Sequence, residues 1–305
     1  MAESGSGGLL AAAGCAAAVL GGIVIARRQA RPTMDTSTKG LRVVITGSTR
    51  GLGYAMAKEF VMLGDSVVVS GREQSSVEAA RLSLAPLATR NGQQVVGHAC
   101  DVASSTGCDE LASKTVRELG GIDIWVNNAG ITQHPKATLA TTPASDIQRI
   151  VETNMLGTLL GCRAALAVMI EQGRGAIFNM DGAGSRGTAT ARSATYGATK
   201  AAIPQLSQSL AKEIPKSSRV CVHSASPGMV MTDLLCKGAP PSALRIFNIL
   251  AEKPETTAAW LVPRMRAASD RASGEYLKFL TPAGAAWRFL TAAWRKDRLV
   301  TVPPA

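Results

Sequence analysis

Short apolar runs recur along the chain with helical patterns between them, and this rhythm constrains the fold most. The first run, Leu41 to Thr46, is continuously apolar and β-branched, which is typical of a strand buried on both faces. A helical pattern follows it to about Leu63. Further strand-like runs lie at residues 66–70, 94–99, 123–126, 176–180, 219–224 and, finally, 276–280. Strands that alternate with helices predict a parallel sheet with right-handed crossovers, a doubly wound α/β fold in a single domain.

The two ends of the chain depart from this pattern. Residues 1–40 contain an uninterrupted apolar stretch, Leu9 to Ala26, which is followed by arginines and is just long enough to cross a bilayer. It predicts a retained membrane anchor or a cleaved leader, and the sequence leaves both open. The fold itself is expected in residues 41–281. Residues 282–305 carry aromatic and basic side chains, which predict an amphipathic helix that lies in a membrane interface or docks on the protein's own body or a dimer partner.

The charge and the metal-binding residue types narrow the possible partners. The 305 residues carry a formal net charge of +11, but the basic residues are scattered and few aromatics lie among them. We therefore expect no nucleic-acid partner and a surface that tolerates lipid head groups or an anionic cofactor. The six cysteines have no C-x-x-C spacing, so we expect reduced core thiols. The three histidines lack ligand-spaced partners, so no metal site is expected.

A glycine-rich turn, T-G-x-x-x-G-x-G at Thr46 to Gly53, directly follows the first strand-like run. Glycines let the backbone approach a pyrophosphate closely, and the N-terminus of the next helix offers free N–H groups. The turn therefore predicts a dinucleotide site in a Rossmann fold. Its candidate cofactor-binding residues are Gly47, Ser48, Arg50, Gly51, Leu52 and Gly53.

The end of the second strand indicates which dinucleotide is bound. Ser70-Gly71-Arg72 has no acid at the place where sites that prefer NAD hold one for the adenosine 2′-hydroxyl. Arg72, helped by Arg50, supplies guanidinium groups for a 2′-phosphate. We therefore predict NADPH, with NADH less favoured; two solvated surface arginines are the alternative.

Two further strand ends contribute candidate ligands of the cofactor. Asp101 and Val102 follow the third strand, where an acid can accept a hydrogen bond from the adenine amino group or simply cap a helix. Asn127-Asn128-Ala129-Gly130 follows the fourth strand, and its amides and small residues suit a ligand crevice, although asparagine-rich turns are also common structural devices.

Tyr196 and Lys200 supply the candidate chemistry. They stand four residues apart, so one helix face presents both the phenol and the ammonium. A fixed cation, or a cofactor ribose shared between them, favours phenolate and lowers the tyrosine pKa toward values where it can exchange a proton with a carbonyl. Alone, Y-x-x-x-K is most often an ordinary helix pair. Its place after a glycine-rich strand-to-helix turn favours a catalytic role.

These motifs stand in the order and spacing of a known family. Over roughly residues 40–280 the chain resembles the short-chain dehydrogenase/reductase family, which also has an asparagine at the position of Asn154 and a P-G-x-x-x-T motif, here Pro227 to Thr232. The resemblance implies that Tyr196 is the proton donor, that Lys200 holds the nicotinamide ribose and lowers the tyrosine pKa, and that Asn154 supports a proton-relay water. It adds the cofactor-binding candidates Pro227, Gly228, Val230 and Thr232, the last near the nicotinamide carboxamide.

One member of the family's catalytic set is displaced. The resemblance implies a serine about thirteen residues before the tyrosine, but that position falls on Gly182 or Ala183. Ser185 is the candidate replacement if the glycine-rich turn folds it back. Asp181 is an unusual acid at this point.

This departure resembles the chlorophyll(ide) b reductases of plant and algal chloroplasts, in Phe178 to Ser185 and again in Ser226 to Leu235. The resemblance implies NADPH-dependent reduction of the 7-formyl group of chlorophyll b to hydroxymethyl, a membrane-embedded pigment substrate and a place at the chloroplast thylakoid membrane. Met229 to Leu250 is then the substrate lid, or an ordinary amphipathic helix. A membrane-anchored steroid or retinoid dehydrogenase and a catalytically silent nucleotide-binding scaffold remain alternatives. The oligomeric state, homo- or hetero-oligomer, and the choice between free pigment and a pigment–protein complex stay open.

Overall fold

Seven parallel strands form one sheet in the computed structural model, which describes residues 40–215 and 217–301. The order across the sheet is β3-β2-β1-β4-β5-β6-β7. The strands are β1 Arg42–Ile45, β2 Ser66–Gly71, β3 Val95–Ala99, β4 Ile124–Asn127, β5 Arg174–Met180, β6 Arg219–Ser226 and β7 Tyr276–Lys278. The prediction of a doubly wound parallel sheet is confirmed, and each strand-like run of the sequence lies at a strand.

The helices cover both faces of this sheet. They are α1 Gly51–Met62, α2 Gln74–Leu84, α3 Gly107–Leu119, α4 Ala144–Val151, α5 Gly157–Glu171, α6 Ala194–Glu213, α7 Asp233–Cys236, α8 Pro241–Leu250, α9 Pro254–Ala268 and α10 Pro282–Leu290. One apolar cluster joins α1 and α9 to the sheet, and a second joins α3 and α5 to the opposite face. Both faces of the central strands are therefore buried, as their continuous apolar sequences require.

The strand order creates the crevice in which a site is expected. The chain runs from β1 outward to β3 and then returns to the other side of β1, where it forms β4. Crossovers on the two sides of β1 therefore lead in opposite directions, and the carboxyl ends of β1 and β4 are left uncovered between them. The glycine-rich turn and the Asn127 to Gly130 segment both begin at this edge.

One continuous helix in the described part of the chain, Ala144–Glu171, is long and apolar enough to cross a membrane by length and composition. It consists of α4, a π-helical segment at Glu152–Leu156 and α5. Cys162, Ala165 and Met169 on α5 are buried in the core on one face of the sheet. These contacts identify it as a core helix. The apolar stretch Leu9 to Ala26 lies outside the described residues.

The carboxyl-terminal helix is shorter than the sequence predicts. The amphipathic pattern extends from Pro282 to Val300, but α10 ends at Leu290 and only a 3₁₀ turn, Ala292–Arg295, follows. The Thr291 hydroxyl donates to the Trp287 carbonyl at 2.8 Å. The Thr291 N–H donates to the same carbonyl at 3.0 Å, so Thr291 makes the last regular bond of α10.

Gly53 provides a test of the contact between the glycine-rich turn and the sheet edge. A Cβ atom added at Gly53 would collide with the Gly47 carbonyl oxygen and would lie 2.5 Å from Asn128 Nδ2. We expect Gly53→Ala to lower the free energy of unfolding by about 1–3 kcal/mol, because the backbone must move to accept the methyl group.

The measurement is chemical denaturation of the ligand-free protein. Gly130→Ala is the matched control, because a Cβ there would meet its nearest atom, Asn154 Oδ1, at an ordinary 3.5 Å. Equal stabilities of the two variants would contradict the close contact at Gly53.

Candidate active site

Buried hydrogen bonds join the glycine-rich turn to the strands on either side. The Thr46 hydroxyl oxygen accepts from the backbone N–H groups of Asn128 and Ala129, both at 3.0 Å. The Asn128 side chain donates back to the carbonyls of Thr46 and Gly47, at 2.9 and 3.1 Å. On the other side, the Ser48 hydroxyl donates to the Ile45 carbonyl and accepts from the N–H of Ser70. The turn is thereby fixed relative to β2 and β4.

Two predicted cofactor ligands belong to this framework. Ser48 is fully buried, and both its hydroxyl and its backbone N–H are bonded to β1 and β2. The Asn128 amide nitrogen is likewise committed to the turn. Ser48 thus satisfies the strand ends, and its assignment as a cofactor-binding residue stays a prediction. Asn128 contacts the turn from the end of β4 through these two bonds.

The remaining glycines leave the outer side of the turn free of side chains. A Cβ on Gly47 would lie 2.9 Å from Ala129 Cα, and one on Gly51 would lie 3.2 Å from Thr232 Cγ2. The segment that contains Thr232 therefore lies close to the turn. A cradle that a side chain would fill, at the N-terminus of α1, fits the diphosphate of a dinucleotide.

The candidates for the adenosine end lie at the same edge. Arg72 directly follows β2 and is exposed. Arg50 forms an ion pair with Asp233 at 3.1 Å, but both side chains are more than 70% exposed, so the pair is weak and a phosphate can displace it. Asp101 is exposed, and one of its oxygens accepts from the N–H of Ala103 at 3.0 Å. Its role toward the adenine amino group stays a prediction.

Val102 has a packing role. Its side chain is buried, and a Cβ on Gly157 would lie 2.7 Å from Val102 Cγ2. Only glycine at the start of α5 permits this approach. Val102 thus holds α5 against the end of β3.

Helix α6 places Tyr196 and Lys200 together, but their surroundings shift the tyrosine pKa opposite to the prediction. Lys200 Nζ lies 5.9 Å from the centre of the Tyr196 ring and donates to the Met180 carbonyl at 3.0 Å. Burial, reinforced by the charge of Asp181, raises the pKa of Tyr196 to about 12. Burial lowers the pKa of Lys200 to about 8, although Asp181 opposes that shift. The polypeptide by itself therefore keeps the phenol protonated, which suits a proton donor.

Asn154 lies in the π-helical segment and is fully buried. Its side-chain oxygen accepts from the N–H of Ile131 at 2.8 Å, and its amide nitrogen donates to the Ile131 carbonyl and to Thr199 on α6. A π turn often occurs at a functional residue, since the extra residue rotates a side chain out of the regular helical face. Asn154 here joins the end of the Asn127 to Gly130 segment to the helix that carries Tyr196.

Gly182, and not Ser185, lies against the tyrosine hydroxyl. A Cβ at Gly182 would collide with that oxygen. The Ser185 hydroxyl donates to Asp181 Oδ2 at 3.0 Å, and its catalytic role stays a prediction. The Tyr276 hydroxyl donates to the same carboxylate oxygen at 2.6 Å. The displaced serine therefore helps Tyr276 to hold an acid beside Tyr196 and Lys200.

The second oxygen of this carboxylate completes the electrostatics of the site. Asp181 is 4% exposed, and its Oδ1 is buried without a hydrogen-bond partner in the described part of the chain. An incompletely bonded carboxylate retains more of its field, which explains its effect on both neighbouring pKa values. Tyr276 escapes motif analysis because it lies 95 residues from Asp181.

A chain of buried polar side chains supports the site from beneath. Asn127 donates to Asn179 at 2.8 Å, and Asn179 donates to Ser207 on α6 at 3.0 Å. Trp125 donates to Asn127 from the same strand at 2.8 Å. Amides inside otherwise apolar strands are the sequence signal for such a network, because an unpaired buried amide is costly.

A glycine-lined dinucleotide cradle at the sheet edge that also carries a half-buried tyrosine and a buried lysine is typical of a nicotinamide-dependent oxidoreductase. The comparison with known families agrees: a short chain dehydrogenase model matches residues 42–240, and the chain belongs to that family. It is thus an NAD(P)-dependent oxidoreductase of the short-chain dehydrogenase/reductase type.

Individual relatives are similar over most of the chain. A probable chlorophyll(ide) b reductase (NYC1, chloroplastic) of Arabidopsis thaliana is 42% identical over 92% of the chain, which spans only 59% of that protein. The chlorophyll(ide) b reductase NOL of the same plant is 42% identical over 88% of the chain and 78% of its own length. Among solved structures, a short-chain type dehydrogenase/reductase from Mycobacterium marinum superposes with a TM-score of 0.70 at 27% identity, covering 79% of this chain and 95% of that one.

The Asp181 carboxylate provides a pH-dependent test. Asp181→Asn removes a charge that raises the pKa values of Tyr196 and Lys200, so both pKa values fall. A proton-donating tyrosine and a cationic lysine are both needed for reduction, and both protons are then lost at lower pH. We expect the alkaline limb of the kcat profile for carbonyl reduction to move to lower pH.

Three control variants separate charge from geometry in this test. Tyr276→Phe and Ser185→Ala remove the two hydrogen bonds but keep the carboxylate, so their alkaline limbs should move less than that of Asp181→Asn. Glu255→Gln removes an exposed charge on α9 and should move nothing. An unchanged limb in Asp181→Asn would rule out this electrostatic role.

Proposed function

We propose that the protein is an NADPH-dependent carbonyl reductase that converts the 7-formyl group of chlorophyll(ide) b to 7-hydroxymethyl, in the chloroplast at the thylakoid membrane. The observation that carries the substrate is the 42% identity to two chloroplast chlorophyll(ide) b reductases over about nine tenths of the chain. Because the chain spans 59% of the first of these relatives, the whole activity of that relative is part of the proposal.

The reaction needs a proton at the formyl oxygen, and the site is arranged to supply it. Tyr196 is protonated over the physiological range, since burial and Asp181 raise its pKa to about 12. Lys200 is a cation below its pKa of about 8, and it faces the same space. Tyr196 donates the phenolic proton to the carbonyl oxygen as negative charge develops there, and the Lys200 cation then stabilises the resulting phenolate.

The cofactor supplies hydride when bound, and this chain's residues determine which cofactor is used. The glycine-lined cradle and the N-terminus of α1 hold the diphosphate. Arg72 and Arg50 hold the 2′-phosphate of NADPH, and no acid at residues 70–72 attracts the 2′-hydroxyl of NADH. Thr232, over the glycine-rich turn, closes the nicotinamide end.

An assay of the purified full-length protein tests the reaction. Chlorophyll b or chlorophyllide b is supplied with NADPH, and we expect a shifted red absorption band and a product that has gained two hydrogens. Tyr196→Phe should lower kcat by about 10²–10⁴-fold, the usual contribution of a positioned general acid, while NADPH binding is retained.

The same assay includes the competing substrates. Turnover of retinal or a ketosteroid without any change in the pigment would assign the enzyme to steroids or retinoids. Full pigment reduction by Tyr196→Phe would remove Tyr196 as the donor. Absence of turnover with every carbonyl, together with tight NADPH binding, would support a silent scaffold.

Arg72 tests the cofactor preference. Arg72→Glu should raise the KM for NADPH about 10- to 100-fold, because a charge-assisted hydrogen bond worth roughly 1.5–3 kcal/mol is lost, and should change the KM for NADH little.

The matched control is Arg117→Glu, which makes the same charge change at an exposed position in the last turn of α3. That turn precedes β4 and lies at the amino ends of the strands, whereas the candidate cofactor site lies at their carboxyl ends. Neither KM should therefore change. Equal increases for the two nicotinamides in Arg72→Glu would refute the phosphate contact.

A further inference from the structure

Large apolar side chains stand exposed on the carboxyl-terminal segment, defined here as residues 282–301. Trp287 is 43% exposed, Phe289 50%, Leu290 81% and Trp294 85%. These four residues lie within eight positions of one another, and Ile246 on the adjoining α8 is also exposed. A single exposed apolar residue is ordinary, but a group that includes two tryptophans indicates a surface that meets an apolar phase or a partner.

The arginines of the same segment are turned toward the protein. Arg288, Arg295 and Arg298 contact the Glu252 carboxylate at 3.0, 2.9 and 2.8 Å. They also donate to the carbonyls of Ile249, Leu250 and Ala251, at the end of α8. Cations near the last carbonyls of a helix interact favourably with the helix dipole. The segment therefore packs through its charges and presents its apolar side chains outward.

Further bonds fix this orientation. The Asn248 side chain donates to the Val300 carbonyl at 2.7 Å and accepts from the N–H groups of Leu299 and Val300. Both sides of the 3₁₀ turn are thus attached to α8. The outward tryptophans belong to a fixed surface, and their exposure is a property of the fold.

This surface is joined directly to the cofactor-binding segment. The N–H of Glu252 donates to the Met229 carbonyl at 3.0 Å, and the N–H of Met231 donates to the Glu252 carbonyl at 2.9 Å. Glu252 therefore connects the three arginines with the residues on either side of Val230. The segment that carries the tryptophans is thereby connected to the segment that contains Val230 and Thr232.

The charges around the surface select its occupant. Residues 282–301 contain one acid, Asp297, and four basic residues, of which the three arginines pair with Glu252. Lys296 is exposed beside Trp294, and Arg245 is exposed beside Ile246. Tryptophan prefers the boundary between head groups and acyl chains, and neighbouring cations favour anionic lipid. These two cations beside the aromatic and leucine side chains complement an anionic bilayer surface.

We propose that the surface formed by Trp287, Phe289, Leu290, Trp294 and Ile246 docks in the interface of an anionic lipid bilayer and holds the active-site mouth at the membrane. This goes beyond the proposed reaction, since the docking surface is independent of which carbonyl is reduced. It gives a membrane-dissolved substrate a short path to Tyr196.

Tryptophan quenching by brominated lipid tests the proposal on the full-length protein. Vesicles of phosphatidylcholine and phosphatidylglycerol carry bromine on their acyl chains, and we expect strong quenching of Trp287 and Trp294. The double variant Trp287→Phe with Trp294→Phe reports the residual signal from Trp125 and Trp260. If the protein is anchored through its amino-terminal stretch instead, it binds vesicles but these two tryptophans are not quenched. That result would overturn the proposal.

Vesicle partitioning supplies the second measurement. The combined variant Trp287→Ser, Leu290→Ser and Trp294→Ser should reduce quenching and weaken the contribution of this surface to partitioning at least tenfold. NADPH oxidation with a water-soluble aldehyde should be unchanged in it. Leu82→Ser with Leu139→Ser, which alters two leucines that are each 56% exposed, is the control. Absence of quenching, with self-association that the triple variant abolishes, would assign the surface to a second copy of the chain and refute membrane docking.

Discussion

The carboxyl ends of β1, β2 and β4 are joined by short polar side chains, and the rest of the site depends on that junction. Thr46 bonds the turn to the backbone after β4, and Ser48 bonds it to β2. Backbone groups at strand ends lose the sheet ladder and must find other partners when buried. Hydroxyl groups one residue on either side of Gly47 satisfy them without filling the crevice. The glycines can then remain bare on the side where a diphosphate fits.

The catalytic pair is held by a second polar framework. Amides on β4 and β5 connect through Ser207 to α6, and Asn154 connects the same helix to the backbone at Ile131. These bonds hold α6 in place, so the positions of Tyr196 and Lys200 relative to the sheet are fixed before any ligand binds. Preorganisation of this kind is what lets buried charges act at their full strength.

The sequence predicts the fold almost completely and the site only in part. The central strands follow from largely apolar runs, because a strand buried on both faces needs apolar residues along its length, and the edge strands β3 and β7 follow from shorter runs. The glycine-rich turn and the Tyr196–Lys200 face follow from local spacing. The direction of the tyrosine pKa does not, since it depends on burial and on Asp181. The same limit applies to Tyr276 and Glu252, whose partners are far away in sequence and are brought close only by the sheet order.

The carboxyl-terminal segment illustrates how tertiary contacts override a helical pattern. The sequence alone does not determine whether its aromatic or its basic side chains face the protein. Glu252 and the last carbonyls of α8 supply charged and aligned acceptors for three arginines, and the guanidinium groups turn inward to meet them. The aromatic side chains then face outward, although the hydrophobic effect would favour their burial against the protein. Covering these tryptophans with an apolar phase would lower the free energy further, which is the physical basis of the proposed bilayer docking.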